Sequence, residues 1–171
     1  MFCANDKIHY VGSGVCLIQE ITVKRIGRNR ASYYVLKPLH QQTSVIYVPV
    51  DKEELVARMR PILTRDQVRA LIDSIDSITP VWYPDVNERK LQFDGLLRSG
   101  SCADLICLIK SLFAQRKIRQ AEGKLLHVSD ETFLREAQRL LYDEFAGVLE
   151  KTPKEIEAEL LPLLQASVEG S

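Results

Sequence analysis

A single tryptophan, Trp82, stands between Pro80 and Pro84 in the segment Thr79 to Lys90, TPVWYPDVNERK, just ahead of the cations Arg89 and Lys90. A large planar ring beside positive charge suits an unstacked base or a strand junction, because the cations hold phosphates while the ring supplies stacking area. The same ring could instead plug the seam between two domains, since tryptophan is largely buried on average. The segment alone leaves both readings open. No other cluster offers chemistry of its own. The cysteines Cys3, Cys16, Cys102 and Cys107 form no CxxC pair, and His9, His40 and His127 are scattered, so neither zinc nor any other cofactor is expected. There is no HExxH, GxSxG, P-loop or GxGxxG motif, and Gly12-Ser13-Gly14 is a hairpin turn, so an enzyme is not expected.

Charge sharpens the nucleic-acid lead. The net charge is zero, which argues against a protein that coats DNA indiscriminately, but the total hides a segregation. Residues 1–60 carry nine cations against five acids, and residues 87–127 carry eight cations against four acids, so each segment is +4. The end of the chain, 128–171, holds ten acids and four cations. Contact with phosphates must then be directional and modest in strength, as in a protein that works beside another DNA-bound machine.

The elements that would position these residues follow from a change of periodicity near residue 50. Before it, short apolar and β-branched runs alternate with turn signals: Ile8 to Val11, Gly12-Ser13-Gly14, Val15 to Ile26, a turn at Gly27-Arg28-Asn29-Arg30, Ser32 to Leu36, a polar loop at His40 to Thr43, and Ser44 to Val48 before Pro49. About four antiparallel strands in so short a stretch must curl strongly to enclose a core, which predicts a small SH3- or Tudor-like barrel with exposed edges. Such an edge can accept a strand from another protein. After Asp51 the pattern is helical, predicting helices over 52–59, 65–76, 85–98, 102–120, 130–149 and 153–166. Thr64-Arg65-Asp66-Gln67 and Thr152-Pro153-Lys154-Glu155 are capping boxes, and Ser101 and Ser129 are weaker caps. Leu105, Ile106, Leu108, Ile109, Leu112 and Phe113 form one core face, while Lys110, Arg116, Lys117 and Arg119 form a candidate basic ridge opposite. The acids of the late helices are expected on solvent faces. The fold class is therefore α+β, with a β-barrel domain over 1–60 and a compact all-α domain over 61–171. Without a signal peptide or an apolar run long enough to span a membrane, a soluble cytoplasmic monomer with no membrane partner is expected, its cysteines serving as small core residues.

The order of these pieces carries a resemblance. Asp6-Lys7-Ile8-His9-Tyr10, Gly14-Val15-Cys16-Leu17-Ile18, Tyr34-Val35-Leu36-Lys37 and Ile46-Tyr47-Val48-Pro49 are followed by Arg89-Lys90, Leu97-Arg98-Ser99-Gly100, Glu136-Ala137 and Leu141-Tyr142-Asp143-Glu144-Phe145. In that order and spacing the chain resembles the bacterial CarD/CdnL transcription regulators over nearly its whole length. The barrel is also similar to the polymerase-binding module of the transcription-repair coupling factor. The resemblance implies a protein without an operator sequence, associated with the nucleoid through RNA polymerase. It implies that the barrel binds the polymerase β subunit, and that the helical domain touches promoter DNA at the upstream edge of the bubble, mainly on the backbone and in the minor groove. The family's basic contact falls on Lys24, with Arg25 beside it. A second basic contact, in the strand that ends at Pro49, falls on Tyr47, where the charge is lost. On the DNA side the family's tryptophan aligns with Val86, counting back from Ser99-Gly100, whereas Trp82 lies four residues earlier. The basic pair falls on Arg89 and on Lys90, unless Glu88 takes the second place. Trp82, Arg89, Lys90 and Lys117 are thus the candidate DNA face, and Lys24, Arg25, Tyr47 and Pro49 the candidate polymerase face. The competing reading is an interaction adaptor whose helical domain presents an acidic tail and touches no DNA. A sequence-specific repressor ranks below both, because no helix-turn-helix with a polar recognition helix is evident.

Overall fold

The computed structural model describes residues 1–169. The chain divides into two compact units, Met1–Ile62 and Leu63 onward. The first is an antiparallel five-stranded sheet in the order β4-β3-β2-β1-β5, built from β1 (Lys7–Tyr10), β2 (Gly14–Ile26), β3 (Asn29–Pro38), β4 (Ile46–Pro49) and β5 (Met59–Pro61), with a one-turn helix α1 (Glu53–Val56) before the last strand. β4 and β5 are its edges. Gly12 (φ +89°) and Gly14 (φ +77°) make the β1–β2 turn in a backbone region that side chains disfavour. A bulge at Gln19 shifts the β2–β3 register between Ile18 and Glu20. The extra residue turns Ile21 and Val23 onto the sheet face already used by Ile18. Ile8, Tyr10, Cys16, Ile18, Tyr34, Leu36, Val48 and Met59 fill the core.

β5 departs from the expected helix over 52–59. Only Glu53–Val56 is helical, and Met59–Pro61 pairs with β1 through Ile8↔Pro61 and Tyr10↔Met59. Pro61 disfavours a helical Arg60 before it, and a proline is tolerated on an edge strand, where no ladder donor is lost.

The second unit is helical: α2 (Arg65–Asp73), a 3-10 turn (Ile75–Ser77), α3 (Val86–Arg98), α4 (Cys102–Ala121), α5 (Val128–Leu149) and α6 (Pro153–Glu169). Both capping boxes form. The Gln67 amide N–H donates to Thr64 Oγ1 at 3.1 Å and that of Glu155 to Thr152 Oγ1 at 3.2 Å, each with the reciprocal bond. Ser101 caps α4, but α5 starts earlier than Ser129 predicts, because His127 Nδ1 accepts from the Ser129 N–H at 3.3 Å. α4 is the central helix, packed against α3, α5 and α6. α6 buries Ile156, Leu160, Leu164 and Val168, so it is part of the bundle and not a free acidic tail. Two acids lie inside instead of on solvent faces: Asp130, and Glu144, which accepts from the Leu63 N–H (3.3 Å) and the Cys102 thiol (3.1 Å). Of the cysteines, Cys16 and Cys102 are buried, and burial pushes the Cys16 thiol up to about 12, whereas Cys3 is exposed and Cys107 half-buried.

Candidate functional site

Trp82 sits on an extended connection between the 3-10 turn and α3. Pro80 and Pro84 keep their predecessors out of helical conformation, and a connection without its own ladder must find partners for its backbone elsewhere. α4 supplies them. Lys110 Nζ donates to the Ile75 and Ile78 carbonyls at 2.6 Å each, the Cys107 thiol to the Thr79 carbonyl at 3.4 Å, and Ser111 Oγ accepts from the Val81 N–H at 2.8 Å. Lys110 is 1% exposed, so it is a clamp on this segment and not a member of a solvent-facing ridge. Its burial lowers the ammonium pKa below the ordinary 10.5, with Asp76 working in the opposite direction.

Arg89 also departs from its expected role. It is 5% exposed, and its Nε and Nη2 form a two-pronged pair with the Asp130 carboxylate at 3.0 and 3.1 Å. Nη1 donates to the Tyr83 and Pro84 carbonyls at 2.9 and 3.2 Å. With its donors spent this way, Arg89 is not presented to a phosphate; it ties α3, α5 and the Trp82 connection together. Its guanidinium carbon lies 4.5 Å from the centre of the Trp82 ring, and Phe93 meets that ring edge-on at 6.2 Å. Trp82 is thereby held half-buried in a defined orientation.

Asp85 caps α3 by accepting from the Glu88 N–H at 2.8 Å, which sets where Arg89 and Lys90 fall on the helix. Lys90, one residue further round, is exposed and has no ion-pair partner among the described residues. Lys117 is likewise exposed, but it lines a separate groove with Phe113, Arg116 and Gln165. The rest of the expected ridge is engaged: Arg116 pairs with Glu131 at 2.9 Å, and Arg119 Nε donates to the Leu125 carbonyl.

Trp82 and Val86 line one cavity of about 320 Å³, together with Arg89, Asp130 and three residues that sequence reasoning left unassigned to this site: Gln115, Arg119 and His127. The position to which the resemblance assigns the tryptophan and the tryptophan itself thus border the same space. No spacing in the chain signals that grouping, because it joins the Trp82 connection to α3, α4 and the start of α5.

In the first unit, Lys24 Nζ lies 3.8 Å from the centre of the Tyr47 ring, across β3. Tyr33 meets Tyr47 edge-on at 6.4 Å, and Pro49 stands opposite Tyr33 in the β3–β4 ladder. Tyr47 is 43% exposed on an edge strand, so an aromatic–cation cluster is presented to solvent beside that edge. Arg25 is not part of it. Successive strand residues point to opposite faces, and Arg25 turns to the other side, where its Nε donates to the Gly27 carbonyl at 3.2 Å.

Residues 2–63 match the family model described as the CarD-like/TRCF RID domain. No curated protein matches the chain. The match coincides with the sheet unit, so it is the first unit of this chain that is similar to CarD-like/TRCF RID domains.

Proposed function

We propose that this protein is a transcription regulator that binds the RNA polymerase β subunit through its sheet unit and contacts promoter DNA through its helical unit, lengthening the life of the open complex. The domain match over residues 2–63 carries the reading, since it supports an RNA polymerase-interacting role. The docking surface on this reading is Lys24, Tyr47, Tyr33 and Pro49, an exposed ring cluster with a cation that favours an acidic partner. Docking on polymerase makes weak DNA contacts effectively intramolecular, so a neutral protein with few free cations suffices. It also places the protein in the cytoplasm, on the nucleoid.

Trp82, oriented by Arg89, is the group that would oppose reannealing at the upstream edge of the bubble, with Lys90 and Lys117 as backbone contacts. Each ~1.4 kcal/mol of preference for the open form shifts the open–closed balance tenfold. The test is the lifetime of open complexes after challenge with competitor, with and without the protein. Wild type is expected to lengthen it, and Trp82→Ala to bind polymerase normally while losing the effect. A Trp82→Ala protein that lengthens the lifetime as wild type does removes Trp82 from the mechanism.

The pairing of Arg89 with Asp130 and of Arg116 with Glu131 favours a second reading, an adaptor without DNA contact. On that reading polymerase binds, but the lifetime does not depend on Trp82, Lys90 or Lys117.

A further inference from the structure

The cavity beside Trp82 has unused hydrogen-bonding capacity on three sides. Arg119 commits only its Nε, to the Leu125 carbonyl, so its terminal nitrogens have no partner among the described residues. Gln115 is half-buried, and its amide likewise bonds nothing among them. At His127, Nδ1 accepts from the Ser129 N–H at 3.3 Å and lies 2.8 Å from Ser129 Oγ, which places the proton of the neutral ring on Nε2 as a donor. The one acid on the wall, Asp130, is already neutralised by Arg89. The cavity is therefore net positive, with an aromatic ring, a cation and an amide that can both donate and accept. Its volume of about 320 Å³ is at the low end of the roughly 300–1,000 Å³ typical of small-ligand pockets, enough for one base and its phosphate and too small for a stacked pair.

We propose that this cavity takes a single unpaired nucleotide of melted DNA, with the base against the Trp82 indole and its edge on Gln115, and the phosphate on Arg119 and His127. The inference rests on the DNA-contacting reading above and adds to it a pocket that selects unpaired over paired DNA. An unstacked base exposes both π-faces and its pairing edge, and a base inside a duplex offers neither. Melted strand would then be captured and not merely wedged apart.

Because Trp82 is the only tryptophan, its fluorescence reports the cavity directly. The full chain is titrated with short oligothymidylate, with that strand paired to oligoadenylate, with thymidine monophosphate and with inorganic phosphate. Saturable quenching by oligothymidylate and by the monophosphate, with at least tenfold weaker response to the duplex, is expected, while phosphate alone has little effect. Arg119→Ala and Gln115→Ala are each expected to weaken single-strand binding several-fold. Gln115→Ala is the cleaner variant, because that amide supports no other described contact. Equal response to duplex and single strand, or unchanged affinity in both variants, overturns the pocket. The open-complex assay separates the two ideas. Loss of lifetime in Trp82→Ala without quenching by oligothymidylate keeps the functional reading and overturns the pocket. Quenching that is sensitive to Gln115→Ala, with a normal lifetime in Trp82→Ala, supports the pocket and overturns the functional reading.

Discussion

Each unit of this chain sets a cation against an aromatic ring at its candidate site, and these two pairs serve different ends. In the sheet unit Lys24 lies over Tyr47 at the surface, 3.8 Å from the ring centre, and its ammonium has no ion-pair partner among the described residues. In the helical unit Arg89 lies over Trp82 at 4.5 Å but is also locked to Asp130 and two backbone carbonyls. The difference is one of solvent. A surface ammonium over a ring keeps its charge available to a partner at little cost, whereas a buried guanidinium must satisfy every donor it can within the protein. The first pair presents charge; the second uses charge to aim a ring.

The sharpest way to break that contrast is to remove the buried cation. Arg89→Ala leaves Asp130, itself 2% exposed, as an uncompensated buried charge and is expected to cost about 3–5 kcal/mol in urea unfolding. Arg89→Lys should recover only part of this, since one ammonium cannot make the two-pronged contact. A loss no larger than that of a surface substitution would refute the structural role assigned to Arg89.

Lys110 supplies the next effect. Lys110→Met removes the ammonium donor from the Ile75 and Ile78 carbonyls, of which Ile75 keeps only the Ile78 N–H at 3.3 Å, and is expected to cost about 1–3 kcal/mol. The pH dependence has a definite sign. Because burial lowers the Lys110 pKa, the unfolded chain binds more protons than the folded one in the alkaline window just below 10.5. Wild-type stability relative to Lys110→Met should therefore rise with pH through that window. Urea midpoints of the two proteins measured across it check the slope, and a falling difference would contradict the desolvated ammonium.

Smaller effects test the exposed pair. Lys24→Glu is expected to weaken polymerase binding on the order of tenfold, because it reverses the charge beside Tyr47 without touching the core. Arg25→Glu, on the opposite face, should change affinity only a few-fold, and neither should lower stability by more than about 0.5–1 kcal/mol. Equal losses of affinity in a pull-down would mean that both faces of the β2–β3 ribbon reach the partner.

The sheet unit was legible because its cues are local: the glycine turns, the β-branched runs and the proline that ends β4 each act within a few residues. β5 was not, since a strand as short as Met59–Pro61 has no periodicity to detect and is stabilised by β1, far earlier in the chain. The helices were legible for the same local reason, down to both capping boxes, although α5 begins at a histidine cap that competes with Ser129. The candidate site was legible only in part. Trp82 stood out by type and by its prolines, but Arg89 and Lys110 read as surface cations because sequence records charge and not solvent exposure.

Sequence by itself determined the switch from sheet to helices, the caps, the segregation of charge and the singular Trp82, all consequences of side-chain chemistry over short spans. Only the tertiary structure decided which cations are free. Asp130, the carbonyls of the 3-10 turn and the wall of Gln115, Arg119 and His127 come from separate elements. A charge's availability depends on what is folded against it and on how much water is left.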